Sequence, residues 1–233
     1  MEGIVFTPVE TGSLAARIQE RLERAIYAGE LHPGQRLLEV ELADAFRVSR
    51  ASLREALRLL ENKGLVVSVP RRGTFVAELT ERDVRDIYNL RVLLEGFAIR
   101  QLASAPDPDL LRQLEEETDR LGACARRGDH IGIVDHDIAI HRLICGAPDN
   151  AKLLAVWESL VAPVRALLLV KYRITDDSDE IERGHRGLIE AIRANDPDLA
   201  EDRLKSHIVD TAELVLRIRE QEEPDTGTAN GEG

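Results

Sequence analysis

Apolar positions recur at helical spacing along most of this 233-residue chain, and the exceptions mark its architecture. Leu14, Ile18, Leu22 and Ile26 predict a helix from Ser13 to near Gly29, after which His32-Pro33-Gly34 turns the chain. A short helix follows over Glu39–Phe46, with Leu42 and Ala45 expected inward, and Arg47-Val48 is the turn out of it. Val48–Gly64 then reads as a third helix. Ser49 is a good N-cap, Gly64 suits the left-handed stop, and Leu53, Ala56, Leu57 and Leu60 share one apolar face. Next the pattern switches to Leu65, Val66, Val67 and Val69, a Pro70-Arg71-Arg72-Gly73 tip, then Thr74, Phe75 and Val76. Two extended runs about such a tip predict a β-hairpin.

From Thr80 the helical period returns and holds almost to the end. The first helix carries Val84, Ile87, Leu90, Leu94, Phe97 and Leu102 as its apolar positions and stops before PDPD at 106–109. Leu110–Arg127, His130–Cys145, Lys152–Ile174, Glu180–Ala194 and Leu199–Glu220 complete a set of six. PDPD at 106–109 and NDPD at 195–198 carry the start signal of Asp beside Pro before an apolar-periodic run. The fold expected is mostly α: an N-terminal winged helix-turn-helix with a small β-hairpin wing, then a C-terminal all-α helical bundle. Its domains are residues 1–78 and 79–221, with 222–233 a disordered tail and 1–12 an irregular arm.

Charge sharpens this division. The net charge of −12 argues against nucleic acid until its distribution is read. Residues 1–78 balance 11 basic against 11 acidic side chains, whereas 79–233 carry 20 basic against 32 acidic. Arg36–Arg72 alone holds eight basic and five acidic groups. That asymmetry fits a DNA-reading module joined to an acidic domain with another task. Arg50, Ser52, Arg54 and Arg58 lie largely opposite the apolar face of the third helix, as a helix entering a major groove requires. An ordinary amphipathic surface helix has the same pattern, and it is the flanking helix and wing that favour DNA. With Cys124 and Cys145 alone, a disulfide framework is not expected and a reducing cytoplasm is the default. No apolar run is read as a membrane span, and no secretion signal is read at the N-terminus.

AIYAGELHPGQRL at 25–37, ELADAFRVSRASLREALRLLENKGL at 41–65 and VPRRGTFV at 69–76 resemble the GntR family of bacterial transcription regulators. The helical partner resembles the FCD effector domain of the FadR-like subfamily, and six helices rather than seven resemble its VanR-type branch. The resemblance implies DNA contacts from Arg36, Ser49, Arg50, Ser52, Arg54 and the wing arginines Arg71 and Arg72. Arginine can pair bidentately with guanine, and the serines suit phosphate oxygens at a helix N-terminus. Arg58, a turn further on, suits a phosphate or an intrahelical partner such as Glu55 or Asn62. Some relatives carry arginine where this chain has Val40, so that contact is not carried over.

In the second domain Asp137 and His141 are four apart on one helix, while His185 and His207 come from two others. One carboxylate and three imidazoles from three helices of a bundle can hold a divalent metal, with zinc first and nickel, manganese or iron compatible. Spacing alone is equally compatible with histidines satisfied in a helical core. The order DIAIH at 137–141, GHRGLIEAI at 184–192 and SHIVD at 206–210 resembles FCD domains and favours the metal. His136 reads as surface, His130 as a distant candidate, and Cys145 as a buried thiol rather than a ligand. The resemblance also places Arg91 in the effector cavity, where a guanidinium beside an open metal suits a small organic or sugar acid; its competing role is an ion pair with Glu95 one turn on. The function expected is a homodimeric, ligand-responsive regulator, a repressor released from a palindromic double-stranded DNA operator when that acid binds, with no membrane partner. The alternative is a metal-dependent hydrolase with an accessory winged-helix domain, against which stands the absence of any motif placing a general base.

Overall fold

Most helices begin where a short polar side chain satisfies an orphan amide of the first turn. In the computed structural model, which describes residues 13–174 and 178–222, α1 spans Leu14–Ala28 and Ser13 caps it by accepting from the Ala16 amide. Gly29, at φ 76°, takes the left-handed stop. The helix α2 covers Glu39–Phe46, and α3 covers Arg50–Asn62 behind the Ser49 cap. Ala43 is the buried residue of α2, whereas Ala45 is exposed, so the inward position lies two residues earlier than its pattern suggested. The strands β2 (Val66–Val69) and β3 (Gly73–Val76) form the expected hairpin. A further strand was not expected: β1, Arg36–Leu37, pairs antiparallel with β3 and sets the order β1-β3-β2. Two residues are too few for a period-2 signal, and the pairing is held by bonds just before it, Gly34 N–H to Val76 O at 3.1 Å and Val76 N–H to Gln35 O at 2.9 Å. Ile18, Leu22, Leu53, Leu57, Leu60, Leu65, Val66 and Val76 are buried as the core of this unit, Met1–Glu78.

Leu79–Gly233 is a second compact unit. Its described helices are α4 (Glu81–Ser104), α5 (Pro108–Ala125), α6 (His130–Gly146), α7 (Ala151–Ile174), α8 (Ser178–Arg193) and α9 (Pro197–Glu222). Thr80 and Asp83 make a reciprocal capping box on α4, and Asp107 caps α5 with Pro108 in its first turn. Asp196 accepts from the Leu199 amide at the start of α9, so both Asp-Pro signals mark real helix starts. Glu222, expected in the tail, is instead the last residue of α9, while the arm at 1–12 and residues 223–233 lie outside the described residues.

Two expectations for this unit are corrected. Leu90 and Phe97 are 42% and 49% exposed, and the face of α4 that enters the bundle runs through Val84, Tyr88, Arg91, Glu95, Ala98, Ile99 and Leu102. Both series have helical spacing; polar residues hid the second one. α7 is, by length and composition, apolar enough to cross a membrane, contrary to the initial reading. It instead buries Leu153, Trp157, Val164, Leu167, Leu168, Leu169 and Tyr172, which is how a core helix of a bundle behaves.

Candidate metal centre and nucleic-acid interface

Asp137 and His141 project from adjacent turns of α6, because residues four apart lie on one helical face. His185 comes from α8 and His207 from α9, and one ligand atom from each of the four lies within 4.8 Å of all the others. The imidazole centroids are 4.6 to 5.7 Å apart. Asp137, His141 and His185 are buried, and His207 is the partly exposed member.

The ring nitrogens decide what this cluster can do. Glu95, fully buried on α4, accepts from His141 Nδ1 at 2.5 Å. Burial would raise the Glu95 carboxyl, but Arg91 and His141 outweigh it and bring it down to about 2, so the acceptor is a carboxylate. His185 Nδ1 donates to the Ile181 carbonyl at 2.9 Å. Each Nδ1 is therefore committed as a donor, and Nε2 is the atom that each ring leaves for the cluster. Both Nε2 atoms are buried without a hydrogen-bond partner; His185 Nε2 approaches Asp137 Oδ1 at 3.3 Å, but only as an ion-pair contact. A buried unpartnered polar atom costs about 1–3 kcal/mol. Two of them facing one carboxylate form a set that a divalent cation satisfies. Burial and the neighbouring imidazoles hold His207 well below its usual range, hence neutral and able to ligate. Burial opposes charge on Asp137, yet the surrounding histidines, His185 foremost, hold it low and ionised. The Tyr172 hydroxyl donates to Asp137 Oδ1 at 3.3 Å and stays protonated because burial raises it. The donor set fits a metal ion.

Glu95 was the residue the sequence reading missed as part of this centre, appearing there only as a rival partner for Arg91. That rival contact is present: Arg91 Nε donates to Glu95 Oε1 at 2.7 Å, with both side chains buried. Arg91 also lines a narrow crevice of about 10 Å³ with Asp137, His141 and Trp157. A larger cavity of about 660 Å³ opens between α7, α8 and α9, with Lys171, Ser206, His207 and Asp210 on its wall. Among the remaining candidates, His136 is partly buried and meets Glu117 at 2.7 Å, so it is less exposed than expected. Neither His130 nor Cys145 belongs to the four-residue cluster, and burial pushes the Cys145 thiol up, away from a thiolate.

In the first unit, Arg50, Arg54 and Arg58 are exposed on α3 opposite the buried Leu53, Ala56, Leu57 and Leu60. Ser49 Oγ accepts from the Ser52 amide at 3.1 Å and lies 2.9 Å from Ser52 Oγ. Arg54 Nε donates to Glu39 Oε2 at 2.7 Å, which anchors α3 to α2, and Arg58 lies 3.6 Å from Glu55. At the hairpin, Arg71 takes φ 66° and the Arg72 guanidinium sits 5.9 Å from the Phe75 ring centroid. A Cβ on Gly73 would meet Arg36 Nε at 3.2 Å, so Gly73 leaves room for Arg36 beside the wing. Arg36, Arg71 and Arg72 are all exposed.

Residues 14–76 match the family described as bacterial regulatory proteins, gntR family, and residues 86–210 match the FCD domain. The uncharacterized HTH-type transcriptional regulator YdhC of Bacillus subtilis strain 168 is 27% identical over 202 residues, 86% of this chain and 90% of that protein. The gluconate operon transcriptional repressor of Bacillus licheniformis is 27% identical over 192 residues, covering 80% and 79%. A crystal structure of a transcriptional regulator assigned to GntR from Rhodococcus sp. RHA1 superposes with a TM-score of 0.74 at 24% identity, over 88% of this chain and 99% of that one.

Proposed function

Because the chain belongs to the gntR family of bacterial regulatory proteins and carries an FCD domain, it is a transcriptional regulator rather than an enzyme, and we propose that it is a metal-dependent, ligand-responsive repressor. It works as a homodimer in the cytoplasm, placing one α3 in each half of a palindromic operator. Arg50 and Arg54 read base edges, Arg58 meets phosphate, and Ser49 and Ser52 hold phosphate oxygens at the helix N-terminus. Arg36, Arg71 and Arg72 extend the contact along the wing. Exposed Leu93 and Phe97 on α4 support pairing of two copies. The six helices among the described residues of the bundle favour the VanR-type branch of this architecture.

The observation that carries the ligand-responsive part is the pair of unpartnered Nε2 atoms beside Asp137. Asp137, His141, His185 and His207 hold a divalent metal, zinc first, with nickel, manganese or iron compatible; the ion supplies Lewis acidity that draws in an anionic oxygen. A small organic or sugar acid binds there, reached from the cavity walled by His207, with Arg91 as the nearby guanidinium. The relative named for the gluconate operon favours a sugar acid. Acid binding shifts the bundle between two packings and releases the operator; a hundredfold loss of DNA affinity requires about 2.7 kcal/mol of coupling.

Fluorescence anisotropy with DNA from upstream of the protein's own gene tests this. We expect tight binding at 50 mM salt, a steep fall by 200 mM, and release by a sugar acid only in metal-loaded protein. No binding of that DNA at low salt by the folded protein overturns the regulator reading, and acid release that survives chelation overturns the metal's part.

A further inference from the structure

Glu95 is fully buried, and its two oxygens receive three donors from three helices. Oε1 accepts Arg91 Nε at 2.7 Å from its own helix and Trp157 Nε1 at 2.9 Å from α7. Oε2 accepts His141 Nδ1 from α6. Such a carboxylate does two things at once. It orients a histidine ring and raises the basicity of the opposite nitrogen, as a carboxylate behind a metal-bound histidine does. It also joins α4 to α6 and α7 through buried hydrogen bonds. The opposite nitrogen here is the unpartnered His141 Nε2.

We propose that Glu95 is the positioning residue of the Asp137–His141–His185–His207 centre, presenting His141 Nε2 to the metal and tying metal occupancy to the packing of α4 against α7. This rests on the metal reading above and adds a route out of the centre. When His141 is drawn toward an ion, its Nδ1–H pulls on Oε2, and the same rigid carboxylate carries the displacement to Arg91 and Trp157. The helix that bears Glu95 is α4, the first helix of the second unit along the chain, beginning three residues after the first unit ends at Glu78. Through Glu95, metal occupancy thus reaches the helix of this unit that lies nearest in sequence to the DNA-reading unit.

Trp157 is the chain's single tryptophan, so its emission reports directly on the Glu95 carboxylate. The test is zinc titration of full-length protein against a chromophoric chelator, with Trp157 emission followed in parallel, for wild type, H141A and E95Q. Glutamine offers one neutral acceptor oxygen to three donors. We expect E95Q to bind zinc 10–100-fold more weakly than wild type, and zinc to shift Trp157 emission in wild type but not in E95Q. H141A, which removes a ligand outright, loses more. A purely structural role would lower stability and leave zinc affinity unchanged, so E95Q within twofold of wild type overturns the proposal while the centre stands. Zinc binding that leaves wild-type Trp157 emission unmoved overturns the tie to α7. Wild type that takes up no zinc overturns the centre, and the proposal falls with it. Should E95Q fail to fold, R91M/E95Q removes the stranded cation, and the same 10–100-fold loss is expected.

Discussion

Replacing Arg91 with methionine tests the arrangement most directly, because it removes the cation and leaves Glu95 charged in the bundle. Arg91 and Glu95 expose 4% and 0% of their side chains and meet at 2.7 Å, so water cannot take over from the missing partner. Breaking one half of a buried pair costs about 3–5 kcal/mol, a large part of the about 5–15 kcal/mol that holds a domain together. At a urea slope of about 2 kcal/mol/M, the midpoint falls by about 2 M. The assay is urea unfolding of chelator-treated protein followed by Trp157 emission, which reports the second unit alone and avoids averaging two domains into one transition. R91M/E95Q removes both charges while keeping an acceptor for His141 or Trp157, and it should regain more than half of the loss, about 2 kcal/mol. A loss under about 1 kcal/mol in R91M, or equal losses in the single and double variants, would refute the pairing. The Arg91–Glu95 contact would then add nothing to the stability of the bundle.

Three further outcomes are expected. Acid should destabilise the metal-stripped bundle in a defined window: the Glu95 carboxyl lies near 4.5 unfolded and at about 2 folded, so its stabilisation, about 3 kcal/mol, is complete above pH 4.5 and disappears as pH falls through 2. Urea midpoints at pH 7, 4 and 3 measure it, and a flat profile across that range contradicts the folded-state value. S49A removes the cap on α3 and should cost the first unit about 1 kcal/mol by thermal unfolding while weakening DNA binding, with an unchanged melt showing that the Ser52 amide has another acceptor. L93E/F97E places charge on positions 68% and 49% exposed, so the subunit should stay folded by circular dichroism yet run as a monomer in light scattering; a persistent dimer moves the interface elsewhere.

The helices were legible because their signals are local. Ser13, Ser49, Thr80, Asp107 and Asp196 each stand at a helix start, where a short side chain meets an orphan amide. β1 was not legible, since a two-residue strand is specified by β3 rather than by its own sequence. The inward face of α4 misled for a different reason. A search for apolar spacing picks Leu90 and Phe97, whereas the bundle buries Arg91 and Glu95, which patterning treats as solvent-facing.

The same blindness explains why the site was read only in part. Asp137, His141, His185 and His207 are metal-ligating residue types at recognisable positions, so residue chemistry and resemblance could bring them together before any coordinates. Glu95 has neither a motif nor a neighbour in sequence to mark it, since its partners Trp157 and His141 lie 62 and 46 residues away. One signal was available: Arg91 and Glu95 are an i, i+4 pair on a helix whose other buried positions are apolar, and such a pair inside a bundle is costly unless further donors satisfy it. A carboxylate on that face needs donors beyond arginine, and here His141 and Trp157 from facing helices supply them. Seen this way, the ion pair that competed with a ligand role for Arg91 is also the reason Glu95 stays ionised beside His141. The scaffold contact and the metal centre are one network, and a change that loosens Arg91 must reach the metal through Glu95.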